Sequence, residues 1–340
     1  MHFLSNNIKH NFRFIIIDVA ENILARLDVE DVLRCKSVCK LWYNLISSNY
    51  FVKAHLKHSY NNNREHGYLR IRLTWMINYN NVTNLHNYMI VGSCHGLVCI
   101  SSNNGELLVT NPSTREVRKL PMLPYKYRHN VCWGFGYDSL TDDYKIVVGL
   151  NESEHHMRFQ VLSLKSNKWK FVGEGDYLTY NTNTNDSICG FLYDGALHWF
   201  MNDTKKKRKM IVSFDISSEK FKEIPLLNDT KYVYDDRDRV GMFEERLCIY
   251  CSYYIDDSYC RKIWVMKNYN WWELVPRDYE GNKYGAATTA YILDNILDKT
   301  WLLLHHHEGN EYLLSQSWYH ITSPIFVKSL VSPNNKKNIK

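Results

Sequence analysis

Several residues in this chain could do chemistry, but their spacing argues against a reaction centre. His305-His306-His307 offers three imidazoles in a row. Adjacent residues alternate sides of a strand or scatter along a loop, so such a run does not converge on one metal ion. His155-His156 reads the same way. Cys248-Ile249-Tyr250-Cys251 has the spacing of half a zinc site, and no second CxxC completes it. Gly134-Phe135-Gly136 lacks the third glycine of a dinucleotide loop and lies in a strand-like context. The acidic pairs Asp142-Asp143, Asp235-Asp236 and Asp256-Asp257 fall among turn-forming residues, where turn propensity accounts for them. No GxSxG nucleophile elbow occurs. Lys205-Lys206-Lys207-Arg208-Lys209 separates two strand-like runs and reads first as a solvated hairpin loop, with a nuclear-import signal or an anion contact as other readings. These residues predict a non-enzyme that needs no cofactor and no metal.

Composition narrows the class further. The chain has 340 residues, 45% of them hydrophobic, which is too apolar for general disorder. No run approaches the ~18 consecutive apolar residues that cross a bilayer. Phe12 to Ile17 is short and lacks a small-residue cleavage site, so it reads as the lead-in to a helix rather than a signal peptide. A net charge of +6 is mild, so neither nucleic acid nor membrane is expected as a partner. Nine cysteines, an odd number with irregular spacing, fit a reducing compartment, cytoplasm and/or nucleus.

What the elements must then position is a partner. Asp18 to Ser59 reads as closely spaced helices. Asp18 is a candidate N-cap with Glu21 three residues on, and Val19, Ile23, Leu24 and Leu27 follow helical spacing. Asp28 to Asp31 caps a second helix bearing Val32, Leu33 and Val38. A third puts Trp42, Leu45 and Ile46 on one side and ends at Ser47-Ser48-Asn49, with Phe51, Val52 and Leu56 in a last short turn. A unit of about 40 residues buries too little surface to stand alone. Its apolar side chains exceed its interior, so the helices either dock on the rest of the chain or leave a patch for a partner.

From Tyr68 onward, runs rich in Val, Ile, Tyr and Trp alternate with turn clusters. Five units are visible, starting near Gly92, Gly134, Asp194, Glu245 and Ala290, with Tyr68 to Trp75 as a further candidate strand. Several close on an aromatic, such as Trp169, Phe221 or Trp271-Trp272. A period of roughly 40–50 residues is that of four-stranded propeller blades, which bury their aromatics against neighbouring blades. The reading is α+β multidomain: a small three-helix module over residues 1–60, an all-β repeat domain over 61–335, expected to be a β-propeller, and a disordered basic tail over 336–340.

The helical residues in order, Ile23-Leu24-Ala25-Arg26-Leu27, Val32 to Trp42, Leu45-Ile46 and Phe51 to His55, resemble a plant F-box. That family usually carries proline before the first helix, after its "RL", and near the end; here Ile15-Ile16, Asp28 and Asn49 hold those places. Asp28 can cap the second helix instead, and Asn49 can still turn. The runs Gly92 to Ile100, Leu108 to Pro121, Gly134 to Val147, Gly195 to Phe200 and Phe326 to Pro333 resemble the F-box-associated domain that follows such F-boxes. The resemblance implies a substrate-recognition subunit of an SCF-type ubiquitin ligase. Such a subunit binds a Skp-type adaptor, through it cullin, and an unidentified target protein. It places the adaptor contact on Ile15, Ile16, Ile23, Leu24, Leu27, Val32, Leu33, Val38 and Trp42, some of which the module's own core must claim. The alternative is a non-ligase binding module with a degenerate F-box.

Overall fold

Turn residues recur at matching places along the β body, and they set its architecture. In a computed structural model the described residues are 18–61, 88–274 apart from 103–104, 124–130, 154–155, 180–187, 225, 227–237, 244–245, 256–257 and 269–270, and then 327–334. Ile15, Ile16, Tyr68 to Trp75, the fifth unit from Ala290, His155, His305 to His307, Asp235-Asp236, Asp256-Asp257 and the lysine-rich tail lie outside them.

The helical part holds four helices: α1 (18–24), α2 (Val29–Cys35), α3 (Lys40–Ile46) and α4 (Asn49–Asn61). The expectation of three helices and a short turn is corrected. Nothing between Asn49 and Asn61 breaks a helix, Ser48 accepts a capping hydrogen bond from the Phe51 N–H at 3.1 Å, and Phe51 and His55 are buried one turn apart. Asp18 is itself helical, one step further in than a cap.

The first sheet is β1 (Tyr88–Cys94), β2 (Leu97–Ser102), β3 (Leu107–Asn111) and β4 (Glu116–Leu120), a meander paired in sequence order. The second is β5 (Cys132–Asp138), β6 (Asp143–Ser153), β7 (His156–Ser163) and β8 (Lys168–Gly175). After it come β9 (Tyr177–Thr179) and β10 (Ile188–Cys189); β10 pairs parallel with β5 and β9 joins the third sheet. That sheet is β11 (Phe191–Tyr193), β12 (Ala196–Asp203), β13 (Arg208–Asp215) and β14 (Lys220–Ile224). The fourth is β15 (Arg239–Phe243), β16 (Arg246–Ile255), β17 (Ser258–Asn268) and β18 (Trp271–Leu274). Four of the five expected units are thus four-stranded antiparallel meanders, with β10 and β9 each adding a fifth strand to the second and third sheets.

One turn shows that the units are true repeats. Asn111, Ser163 and Asp215, equally spaced along the chain, end the third strand of the first three sheets. Each accepts with its side chain from a backbone N–H two or three residues on: Ser113 at 2.8 Å, Ser166 at 3.0 Å and Ser218 at 2.6 Å. Each backbone carbonyl also accepts from the residue four further on (Arg115, Asn167, Glu219), whose φ is positive. Short side-chain acceptors offer the backbone this turn locally.

Strand alternation then divides the core between sheets. On β6, Ile146 and Val148 pack toward the first sheet, while Val147 between them packs toward the third; all three are fully buried. On β12, Leu197, Trp199 and Met201 face the second sheet, and Phe200 faces the fourth. The unit-closing aromatics are inter-sheet residues, as expected. Trp169 donates to the Pro121 and Met122 carbonyls beyond β4, at 3.3 and 3.1 Å. Phe221 packs on Phe159 of the second sheet with ring centroids 4.5 Å apart. Trp272 lies in the core shared by the third and fourth sheets.

Gly134 and Gly136 have a steric purpose rather than a phosphate-binding one. They alternate on β5 with Phe135, whose ring fills the core with the first sheet. On the other face a Cβ at Gly134 would lie 2.5 Å from Leu197 Cδ1, and one at Gly136 would collide with Ile216 and lie 3.0 Å from Leu192. The missing side chains let the third sheet approach.

Candidate protein-interaction site

Asp28 stands where the F-box pattern has its second proline, and it caps α2. Its backbone is extended (φ −65°, ψ 155°) and its carboxylate accepts from the Val29 N–H at 2.8 Å. Glu30 and Asp31 follow in the first turn, where acids suit the helix dipole. Cys39 caps α3, its sulfur accepting from the Trp42 N–H at 3.5 Å. Buried His55 on α4 donates from Nε2 to the Leu27 carbonyl at 3.0 Å, satisfying a backbone group left over beyond the end of α1.

The packing separates the predicted contact residues. Leu24 and Val32 are consumed by the module's own core, with Val29, Ile46 and Phe51. Leu27, Leu33 and Trp42 are half-buried against that core. Ile23 and Val38 remain exposed, at 57% and 63%. Val19, Leu41, Tyr43 and Tyr50, outside the predicted set, are exposed as well. They were left out of the predicted set because periodicity marks apolar positions, Val19 among them, without saying which of several possible faces the neighbouring helices will cover.

The module does not stand apart from the β domain. Lys53 on α4 pairs with Asp142 in the β5–β6 turn at 2.9 Å, and the Tyr137 hydroxyl donates to the same carboxylate. His95 in the β1–β2 turn lies among Tyr60 of α4, Tyr137 and Tyr144, with ring centroids at 6.0, 4.7 and 5.8 Å. Its Nδ1 lies 3.1 Å from the Tyr144 hydroxyl. Burial first, and the Lys53 cation second, push the His95 imidazole down to about 4, so it is neutral at pH 7. This is a brace between layers. It was not legible in the sequence, because its members come from three separate segments.

The chain's last described residues form the second link. Residues 327–334 run between the first sheet and the helices. Ser329 donates to the His95 carbonyl at 2.6 Å and, with Val331, accepts from the Asn111 side-chain amide. Leu330 enters the helical core, and Lys328 pairs with Asp28 at 3.1 Å and Glu30 at 3.4 Å.

Among the described residues no three His, Cys, Asp or Glu side chains gather as a metal site. Cys248 is buried in the fourth sheet. The Lys205 to Lys209 run forms the β12–β13 hairpin tip. Lys205 to Lys207 in the turn and Arg208 at the start of β13 are exposed, while Lys209 on β13 is half-buried; Lys205 pairs with Asp176 at 2.6 Å and Arg208 with Glu223 at 3.4 Å. His156 lies within 3.6 Å of Glu174 and Asp176. Asp143 accepts from the Ser163 hydroxyl and from the Lys165 N–H, so this acid secures a turn.

A helical module braced on blade-like sheets, with apolar side chains left exposed, describes an interaction protein. Residues 6–277 match the family model described as the F-box associated beta propeller domain. F-box protein CPR1 of Arabidopsis thaliana is 29% identical over 295 residues, covering 75% of this chain and 70% of that protein. An F-box/kelch-repeat protein of the same plant is 26% identical over 238 residues, covering 62% of this chain and 64% of its own length. The chain belongs to the plant F-box proteins that carry an F-box-associated β-propeller domain. Proteins of this family are generally non-catalytic adaptors.

Proposed function

We propose that this protein is the substrate-recognition subunit of an SCF-type ubiquitin ligase, acting in cytoplasm and/or nucleus. The helices bind a Skp-type adaptor and, through it, cullin, and the β domain binds a target protein. Ubiquitin transfer itself belongs to other subunits; this chain contributes placement of a target lysine.

The observation that carries the reading is that Ile23, Val38 and Leu41 stay exposed after the helical core is filled and after the module has docked on the first sheet. Large apolar side chains left outside a satisfied core mark a protein partner. Asp28 supports it, since its cap replaces the family's proline without loss of α2. The adaptor contact we propose therefore centres on Ile23 and Val38, with half-buried Leu27, Leu33 and Trp42 at its margin and Ile15 and Ile16 leading in. We also infer a closed propeller, supported by the sheet-by-sheet sharing of the core and by the return of residues 327–334 to the first sheet. The helices lie at the end carrying the β1–β2 and β5–β6 turns, so the opposite end is the proposed target face.

Binding of the full chain to a plant Skp-type adaptor tests the reading. Ile23→Asp and Val38→Asp should each weaken binding at least tenfold while leaving the thermal midpoint unchanged. Burying either residue is worth about 1.5–3 kcal/mol, and a tenfold loss is about 1.4 kcal/mol. Wild-type protein that does not bind the adaptor would defeat the proposal and favour the degenerate, non-ligase module.

A further inference from the structure

Residues 327–334 take no strand partner, yet Val327, Ser329 and Leu330 are all buried. The segment alternates like a strand between two layers. Ser329 and Val331 face the first sheet: Ser329 bonds the His95 carbonyl, both residues' carbonyls accept from Asn111, and Val331 packs on that sheet's core. Lys328 and Leu330 face the helices: Lys328 pairs with Asp28 and Glu30 at the start of α2, and Leu330 packs with Leu24, Val29, Val32, Ile46 and Phe51.

The first sheet is shaped to receive it. Gly96 has φ +77°, and a Cβ there would lie 2.5 Å from the Val327 carbonyl and collide with Ser329. Arg118 Nη1 donates to the Pro333 carbonyl at 3.1 Å, anchoring the far end.

We infer that this C-terminal segment is a structural part of the F-box module, so that the adaptor-binding helices become stable only when the last part of the chain is in place. The helical unit is too small to hold itself, and its core includes a side chain from position 330, about 270 residues beyond α4. Adaptor capture is thereby coupled to completion of the β domain. A truncated or incompletely folded chain presents no stable adaptor surface. The second readout below rests on the proposed adaptor binding, and the first does not.

The experiment uses the full chain carrying Leu330→Asp, Lys328→Glu, or Lys328→Glu with Glu30→Lys, and follows amide hydrogen exchange and adaptor affinity. In L330D and K328E, exchange over residues 29–61 should accelerate at least tenfold, while the second to fourth sheets keep their protection. Adaptor affinity should fall by a similar factor. The charge-swapped double variant should recover part of both, because the lysine introduced at position 30 pairs with the new carboxylate while Asp28 still repels it. Helices that keep wild-type protection in L330D and K328E would overturn the inference. So would equal loss of protection in helices and sheets, which would make the segment a general stabiliser. If wild type fails to bind adaptor, the ligase reading falls, and exchange alone decides the coupling.

Discussion

Asp138 provides the sharpest test of how the sheets are held together. Its carboxylate has no solvent exposure and sits at the end of β5. It accepts from the Leu140 N–H at 3.0 Å, the Thr141 hydroxyl at 2.6 Å and the Ser217 hydroxyl at 2.7 Å. Lys145 lies 3.0 Å away and reaches on to the Ile216 carbonyl and Glu219, both at 2.9 Å, tying β6 to the β13–β14 turn of the next sheet. Asp138→Asn keeps the shape and most acceptor bonds but turns the Lys145 contact into donor facing donor. Removing one member of a buried ion pair costs about 3–5 kcal/mol. Because Lys145 retains Glu219, the lower end applies, about 3 kcal/mol, or about 1 M in urea midpoint for a slope of about 3 kcal/mol per M.

The pH dependence follows. Burial alone would raise the Asp138 pKa, but hydrogen bonds from Thr141, Ser217 and Lys145 outweigh it and hold the carboxyl well below its usual range. The unfolded chain, with a carboxyl near 3.9, then binds more protons than the folded one at acid pH. Asp138 therefore contributes its full stability above about pH 5, and the contribution fades as pH falls through 4. The gap between wild type and D138N, followed by urea unfolding from pH 7 to pH 3, should shrink with acid. A midpoint unchanged at pH 7, or a gap that does not narrow, would refute this account of the network.

Two further substitutions probe the sheet interfaces. Gly136→Val introduces a good strand former, so propensity predicts stabilisation. The close approach of Ile216 and Leu192 predicts a loss of about 1–3 kcal/mol, read as a lower thermal midpoint. Trp199→Phe removes the buried Nε1–H bond to the Trp133 carbonyl at 2.7 Å and leaves space beside it. A cost of about 2 kcal/mol is expected, and less than 0.5 kcal/mol in chemical denaturation would deny that this bond ties the second sheet to the third.

The linear pattern announced the repeats because alternating apolar residues and Asn, Ser or Asp turns are local signals. A strand's two faces and a turn's acceptor are written within a few neighbouring residues, which is why Asn111, Ser163 and Asp215 mark the same turn three times. The aromatic at the end of a unit was readable for the same reason. The Asp28 cap needed only Val29 beside it.

Tertiary structure decided what distance along the chain conceals. Ile23 and Leu24 are neighbours of nearly equal hydrophobicity, yet one stays in solvent and the other is consumed, because α2, α3, α4 and Leu330 close over one side of α1 only. The length of α4 was hidden too, since its buried residues answer to partners on other elements. Composition and periodicity by themselves determined a helical module followed by sheets that share cores. Which apolar side chains remain for a partner, and how the chain's end braces the helices against the first sheet, depend on pairings some 300 residues apart that only the folded molecule brings into contact.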